Sequence, residues 1–207
     1  GGLVGAGIAA AGTDIVILGT IAIKMGKLTV TGVLPIMAFI IIAPLLGMIG
    51  AMAFIIMVFH VFRKVPNYHS ARLFRYLQLV SAGWYSIGHG TNDAQKMMGV
   101  ISLALVCGGM TSSFEIAPWV AFSCYTAIGM GTMLGGWRIV KTMGTKITKI
   151  RATEGFCAES SAALVLMGTA HFGIPVSTTH VISGAIMGVG AVENLKAVRW
   201  ATARKIV

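Results

Sequence analysis

Asp93 and Lys96 stand three residues apart in Gly88-His89-Gly90-Thr91-Asn92-Asp93-Ala94-Gln95-Lys96, a polar island in an otherwise apolar run from Trp84 to Met110. On a helix that spacing puts the two charges on one face, where they can pair; Asn92 and Lys96, four apart, share the neighbouring stripe. The glycines on either side of His89 allow an unwound turn. Backbone N–H and C=O groups freed in this way are tolerated at membrane depth where they line a cavity. The plainer reading is a short polar loop with an internal ion pair. A second island, Pro175-Val176-Ser177-Thr178-Thr179-His180, precedes the glycine-rich stretch 181–192. A Ser or Thr at this place caps a helix, and a capped N-terminus offers N–H donors and a positive dipole end to an anion. Hydroxyls hold an anion without adding charge, so it can leave again. Glu159, in Gly155-Phe156-Cys157-Ala158-Glu159-Ser160-Ser161, is the third anomaly. It reads either as a cation or proton site or as a half-solvated acid near the membrane interface. A charge at mid-bilayer costs about 2.5–3.5 kcal/mol on insertion scales, so such groups usually serve function.

The elements that must carry these residues are apolar. Of 207 residues 56% are hydrophobic and only 11% charged, with a mean hydropathy of +0.85. Soluble domains carry about 25% charged residues, so most of the surface faces something other than water. A spanning helix needs about 20 mostly apolar residues, and the candidates run roughly over 1–23, 30–62, 76–110, 116–137, 156–173 and 176–193. The second and third are too long for one straight span and must tilt, kink or break. Pro35 and Pro44 can kink the second; Gly83, Gly88 and Gly90 can break the third. The expected fold is therefore an all-α polytopic membrane protein of about six transmembrane or re-entrant segments, with membrane lipid as its main partner.

Charge gives the orientation. Sixteen Lys and Arg face six Asp and Glu, a formal net charge of +10. The basic residues fall in short gaps: Arg63, Lys64, Arg72 and Arg75; then Arg138, Lys141, Lys146, Lys149 and Arg151; then Lys196, Arg199, Arg204 and Lys205. Basic loops stay in the cytoplasm, and no basic stretch is interleaved with aromatics in a polar domain as a nucleic-acid surface requires. The 111–115 connection, with Glu115 and no Lys or Arg, lies outside, as does the 24–28 loop with Lys24 and Lys27. No signal peptide is visible, and the chain reads as a piece of a longer protein. Cys107, Cys124 and Cys157 have no ligand-like spacing and read as small core residues. His60 and His69 read as interfacial, and His171 has no assigned role.

Glycine patterns add two expectations. Gly131-x-x-x-Gly135 is a spacing that lets helix backbones approach. Gly1-x-x-x-Gly5-x-Gly7 matches Gly184-x-x-x-Gly188-x-Gly190, an internal repeat, and duplicated halves are typical of secondary transporters. Zinc-protease, nucleotide-loop and serine-elbow motifs do not occur, so no enzyme reading competes.

Taken together, Gly88 through Gly99 and Gly173-Ile174-Pro175-Val176-Ser177-Thr178-Thr179-His180 resemble the inorganic phosphate transporter (PiT) family, in its bacterial branch. Gly135 through Gly144 and Gly155 through Glu159 support the resemblance, which covers essentially the whole chain. It implies two inverted halves, each with an Asn-Asp and a Ser/Thr-rich signature. Residues 1–62 would be the later part of the first half, 63–75 a cytoplasmic linker, and 76–207 most of the second half. The first half's Asn-Asp signature and the final helix would be absent. The implied activity is secondary transport of inorganic phosphate across the bacterial inner membrane, coupled to a proton or sodium ion and needing no cofactor. Asn92, Asp93, Gln95, Ser177, Thr178 and Thr179 would bind the substrate; Asp93, Glu159 and His89 would couple the cation. The substrate would be free phosphate or a metal–phosphate complex, with sulfate or another oxyanion the alternative, and a homodimer is compatible. An ion channel or membrane-embedded enzyme is the reading from a different class.

Overall fold

The computed structural model describes residues 20–24, 27–31, 33–65, 67–142, 150–172, 174, 176–193 and 198. The first copy of the glycine repeat, the basic residues Lys146 and Lys149, and the C-terminal basic tail lie outside them. The described elements are a hairpin of β1 (Thr20–Lys24) and β2 (Lys27–Thr31), then α1 (Val33–Val61), a 3-10 turn at Phe62–Lys64, α2 (Asn67–Cys107), α3 (Pro118–Thr142), α4 (Ala152–His171) and α5 (Thr178–Glu193).

Four of these helices follow the expected apolar runs to within a few residues at most ends. Apart from this hairpin the described residues are helical, as expected; Thr20–Lys24, read from sequence as the end of a helix over 1–23, is a strand, and 1–19 lie outside the described residues. The hairpin is antiparallel, with Thr20 opposite Thr31 and Lys24 opposite Lys27. Its sequence, TIAIK and KLTVT, is dense in Thr, Ile and Val, whose branched Cβ favours extended backbone over helix. Lys24 and Lys27 thus pair across the closed end of the hairpin.

The second correction concerns α2, which runs unbroken for 41 residues through Gly83, Gly88 and Gly90. At about 1.5 Å per residue it is roughly 60 Å long, twice the hydrocarbon thickness. The island stays helical because its own side chains bond back to the preceding turn. Thr91 Oγ1 donates to Ile87 O at 2.5 Å and lies 3.2 Å from Gly88 O, while Asn92 Nδ2 donates to Gly88 O at 3.0 Å. Residues 67–75, expected in a linker, are the first turns of this helix.

Packing is inside-out relative to a soluble protein. The main core joins α1, α4 and α5 with small or branched side chains, among them Ala43, Ala51, Ile55, Ala162, Leu166, Val181 and Ala185. Phe74 of α2 enters it through Phe62 and Phe156, at ring separations of 5.0 and 5.7 Å. A smaller core of Ala94, Met98, Val120 and Cys124 joins α2 to α3. Large apolar side chains cover the outside instead: Ile41, Leu79, Val80, Phe122, Met133, Leu134 and Trp137 are all exposed, Leu134 at 86%. That arrangement suits a hydrocarbon surround. Among the described residues Ile36–Lys64 is the one helical stretch long and apolar enough to cross a membrane by itself.

The cysteines and glycines divide. Cys124 and Cys157 are buried as expected, but Cys107 is exposed at the end of α2. A Cβ at Gly184 would strike the backbone carbonyl of Pro44, and one at Gly188 that of Met48, so α5 and α1 meet backbone to backbone. By contrast nothing lies within 4 Å of a Cβ built on Gly131. Gly184 and Gly188 of α5 are packing glycines. Those of α3 have no such neighbour among the described residues.

Candidate functional site

The unbroken course of α2 puts Gln78, Ser81, Tyr85, His89, Asn92, Asp93 and Lys96 along one side of a single rod, at helical spacings of three and four. Leu79, Val80 and Ile87 take the opposite, exposed side. The polar stripe faces α4 at its lower end and the start of α5 at its upper end.

At the upper end a cavity of about 330 Å³ opens between three elements. Asp93 and Lys96 line it from α2, Val176 and Ser177–Thr179 from the start of α5, and Ile36, Phe39 and Ile40 from α1. The two polar islands, some 80 residues apart in sequence, therefore meet. Lys96 Nζ donates to Asp93 Oδ1 at 3.0 Å and to Val176 O at 2.9 Å. Tyr85 Oη donates to Thr178 O at 3.3 Å. Thr178 Oγ1 lies 3.4 Å from Asp93 Oδ2, long for an O–H···O bond. His89 stacks on Tyr85, with ring centroids 5.9 Å apart, and its Nε2 is 3.7 Å from Asp93 Oδ2. Its other nitrogen, Nδ1, is buried with no hydrogen-bond partner.

Ser177 caps α5 as expected: its Oγ accepts the His180 N–H at 3.4 Å, and its carbonyl takes the Val181 N–H at 3.1 Å. The first turn of a 16-residue helix thus borders the cavity, with its orphan N–H groups and positive dipole end. One carboxylate, one ammonium, three hydroxyls and a helix N-terminus surround a space walled on the third side by apolar groups. Such a set offers hydrogen-bond donors of the kind that an oxyanion takes. Among the described residues no three His, Cys, Asp or Glu side chains converge to hold a metal ion.

Of the substrate-binding residues expected from sequence, Asp93, Ser177, Thr178 and Thr179 line this cavity. Asn92 does not: it is buried and spends its amide on Gly88 O. Gln95 is exposed on another face of α2. Of the cation-coupling residues, His89 stands behind Asp93, but Glu159 lies elsewhere. It accepts from Ser81 Oγ at 2.6 Å, and Ser81 sits 12 positions before Asp93, about 18 Å along the helix. Lys96 is the residue that sequence reasoning undervalued. Its i+3 spacing from Asp93 marked the ion pair, but its second bond, to Val176 O, is a tertiary contact. The apolar wall from α1 carried no signal either, since Ile36, Phe39 and Ile40 look like any other spanning residues.

A model of the phosphate transporter family matches residues 1–207. A Rhizobium meliloti protein described as a "Probable low-affinity inorganic phosphate transporter" is 44% identical over 208 residues, covering 100% of this chain and 59% of its own length. A Bacillus subtilis protein of the same description is 39% identical with the same coverage. A Mycobacterium bovis protein, again so described, is 40% identical over 100% of this chain and 48% of its own. The chain thus spans 59% or less of these relatives. No solved structure matches. The relatives are named as transporters, not enzymes, and a family of transporters is one of membrane proteins. With its two polar islands closing on one cavity and its whole length matched, this chain belongs to the phosphate transporter family.

Proposed function

We propose that the chain forms one side of the substrate site of an inorganic phosphate carrier in the bacterial cell membrane, working by alternating access with a coupled proton or sodium ion. The observation that carries this reading is the cavity where Asp93 and Lys96 meet Ser177–Thr179. Helix N-termini aimed at an anion near the bilayer midplane are the usual device of secondary transporters. The names of the relatives support phosphate as the anion. On this reading 1–62 and 76–207 belong to two inverted halves joined through 63–75. Uptake of radiolabelled phosphate and sulfate by the full-length protein in vesicles, with and without sodium, tests it. Phosphate uptake that sulfate does not match is the expected result. Equal or preferred sulfate uptake, or flux without substrate-stimulated counterflow, overturns it.

Two further results are expected. Replacing Ser177 with Ala removes a hydroxyl that both caps α5 and lines the cavity. A hydrogen bond to a charged group contributes about 1.5–3 kcal/mol, so apparent phosphate affinity should fall roughly ten- to a hundred-fold. If the hydroxyl only caps, stability falls by about 1 kcal/mol with affinity intact. Measuring affinity and melting on the same purified protein separates the two. Topology is the other test, after Cys107 has been replaced because it is exposed. Single cysteines at Asn67 and Thr145 should label only from the cytoplasmic side, and one at Ser113 only from outside. Outside labelling at Asn67 would overturn the orientation and the linker together.

A further inference from the structure

Among the described residues the charges lining the cavity cancel. Asp93 and Lys96 are the two charged side chains there, and they are paired with each other at 3.0 Å. A neutral pair attracts an incoming anion weakly, so one of the two must change partner when the site fills. Lys96 is placed to do so. Its ammonium has three donors, and the structure uses two, on Asp93 Oδ1 and Val176 O. Val176 immediately precedes the three hydroxyl residues, so Nζ is already held at the threshold of the hydroxyl cluster. The side chains of Lys96 and Asp93 are 36% and 35% exposed, so neither is locked in place.

We propose that Lys96 is the charge partner of the bound oxyanion, held in reserve by Asp93 in the empty site, and that its transfer to the anion frees the Asp93 carboxylate to take the coupled cation. This deepens the oxyanion reading of the site and rests on it. An oxyanion carrying more charge than one carboxylate, with several acceptor oxygens, competes well for an ammonium. Once Lys96 turns away, Asp93 keeps, among the described residues, Thr178 Oγ1 at 3.4 Å and His89 Nε2 at 3.7 Å. Both are too far to satisfy a carboxylate, which then has an open place for a cation. The anion binds first and the cation second, and coupling follows from one ion pair changing partners.

The test uses the full-length protein in vesicles, with inorganic phosphate as the anion and either sodium or a proton gradient in sodium-free medium as the drive. In Lys96→Gln the apparent affinity for phosphate should fall roughly ten- to a hundred-fold. In the unaltered protein phosphate should lower the half-saturating level of the driving cation; in Lys96→Gln that level should no longer depend on phosphate. Lys96→Arg keeps the charge and should recover part of both. Wild-type phosphate affinity in Lys96→Gln overturns the proposal, as does an intact dependence of cation affinity on phosphate. Loss of folded protein in Lys96→Gln, with unchanged affinity in Lys96→Arg and in the folded remainder, would make Lys96 a structural strut and also overturns it. Absence of phosphate uptake by the unaltered protein removes the oxyanion reading itself. Normal uptake with an indifferent Lys96→Gln removes this proposal alone.

Discussion

Replacing Asp93 with Asn in the full-length carrier should reduce phosphate uptake to background while the protein reaches the membrane in near-normal amount. Asn matches Asp in size and is neutral, so insertion becomes easier rather than harder. Its amide oxygen can still accept from Lys96 Nζ, now 3.0 Å from Asp93 Oδ1, which preserves the local shape. What disappears is the charge that balances Lys96 and that a cation would need. Loss of one charged contact to the cation, at about 1.5–3 kcal/mol and tenfold per 1.4 kcal/mol, should by itself cut uptake roughly ten- to a hundred-fold. Phosphate should still bind, because the hydroxyls and the start of α5 remain and Lys96 has lost its competitor. Bound phosphate without transport is thus the signature to look for. Wild-type uptake by Asp93→Asn would remove Asp93 from the site.

A larger effect on the fold itself is expected at Gly184. The Cβ of any other residue there lands on the Pro44 carbonyl, a backbone group that cannot rotate away as a flexible side chain would. Gly188 stands in the same relation to Met48. Overpacking a well-packed contact typically costs about 1–3 kcal/mol, and here relief requires two helices to separate along several turns. Gly184→Ala should melt well below the unaltered protein, and Gly184→Leu should fail to accumulate as folded material. Gly131→Ala is the matched control, since the space around its Cβ is open. It should be neutral or gain up to about 1 kcal/mol of helix propensity. Equal stability of Gly184→Ala and Gly131→Ala would mean that α1 and α5 do not pack as described.

The helices and the polar residues that line the cavity were legible because both are written as contrasts. Apolar runs of spanning length end at basic gaps, and polar residues inside such runs are rare enough to stand out. Asp93, Ser177, Thr178 and Thr179 were found in this way. Asn92 and Gln95 were carried along by belonging to the same motif, and only the turn of α2 separates them from Asp93: one faces its own helix, the other faces outward. Glycine misled in one place and was silent in another. Gly88 and Gly90 suggested an unwound turn, but Thr91 and Asn92 tie that turn back into helix. Gly184 and Gly188 carried a spacing, yet nothing in it named Pro44 and Met48 as what they meet. The hairpin was missed because hydropathy asks how apolar a segment is, whereas the branched residues of TIAIK and KLTVT decide which backbone it prefers. Lys96 bonding Val176 O and Ser81 bonding Glu159 are contacts between distant parts of the chain. No local pattern encodes them.

The close seating of α5 on α1 also decides how the cavity can change size. Two backbones in direct contact behave mechanically as one strut, since the carbonyls of Pro44 and Met48 sit where glycine leaves room for nothing else. The hydroxyl wall at Ser177–Thr179 and the apolar wall at Ile36, Phe39 and Ile40 therefore ride together. The charged wall on α2 is fastened to that strut differently, by Tyr85 to Thr178 O, Lys96 to Val176 O and the long contact from Thr178 to Asp93. Those are polar clasps that solvent or a substrate can replace one at a time. The seam between α2 and α5 is therefore where the cavity can open at least cost, and the shortest of its clasps is the one that the Lys96 ammonium makes to Val176 O at 2.9 Å.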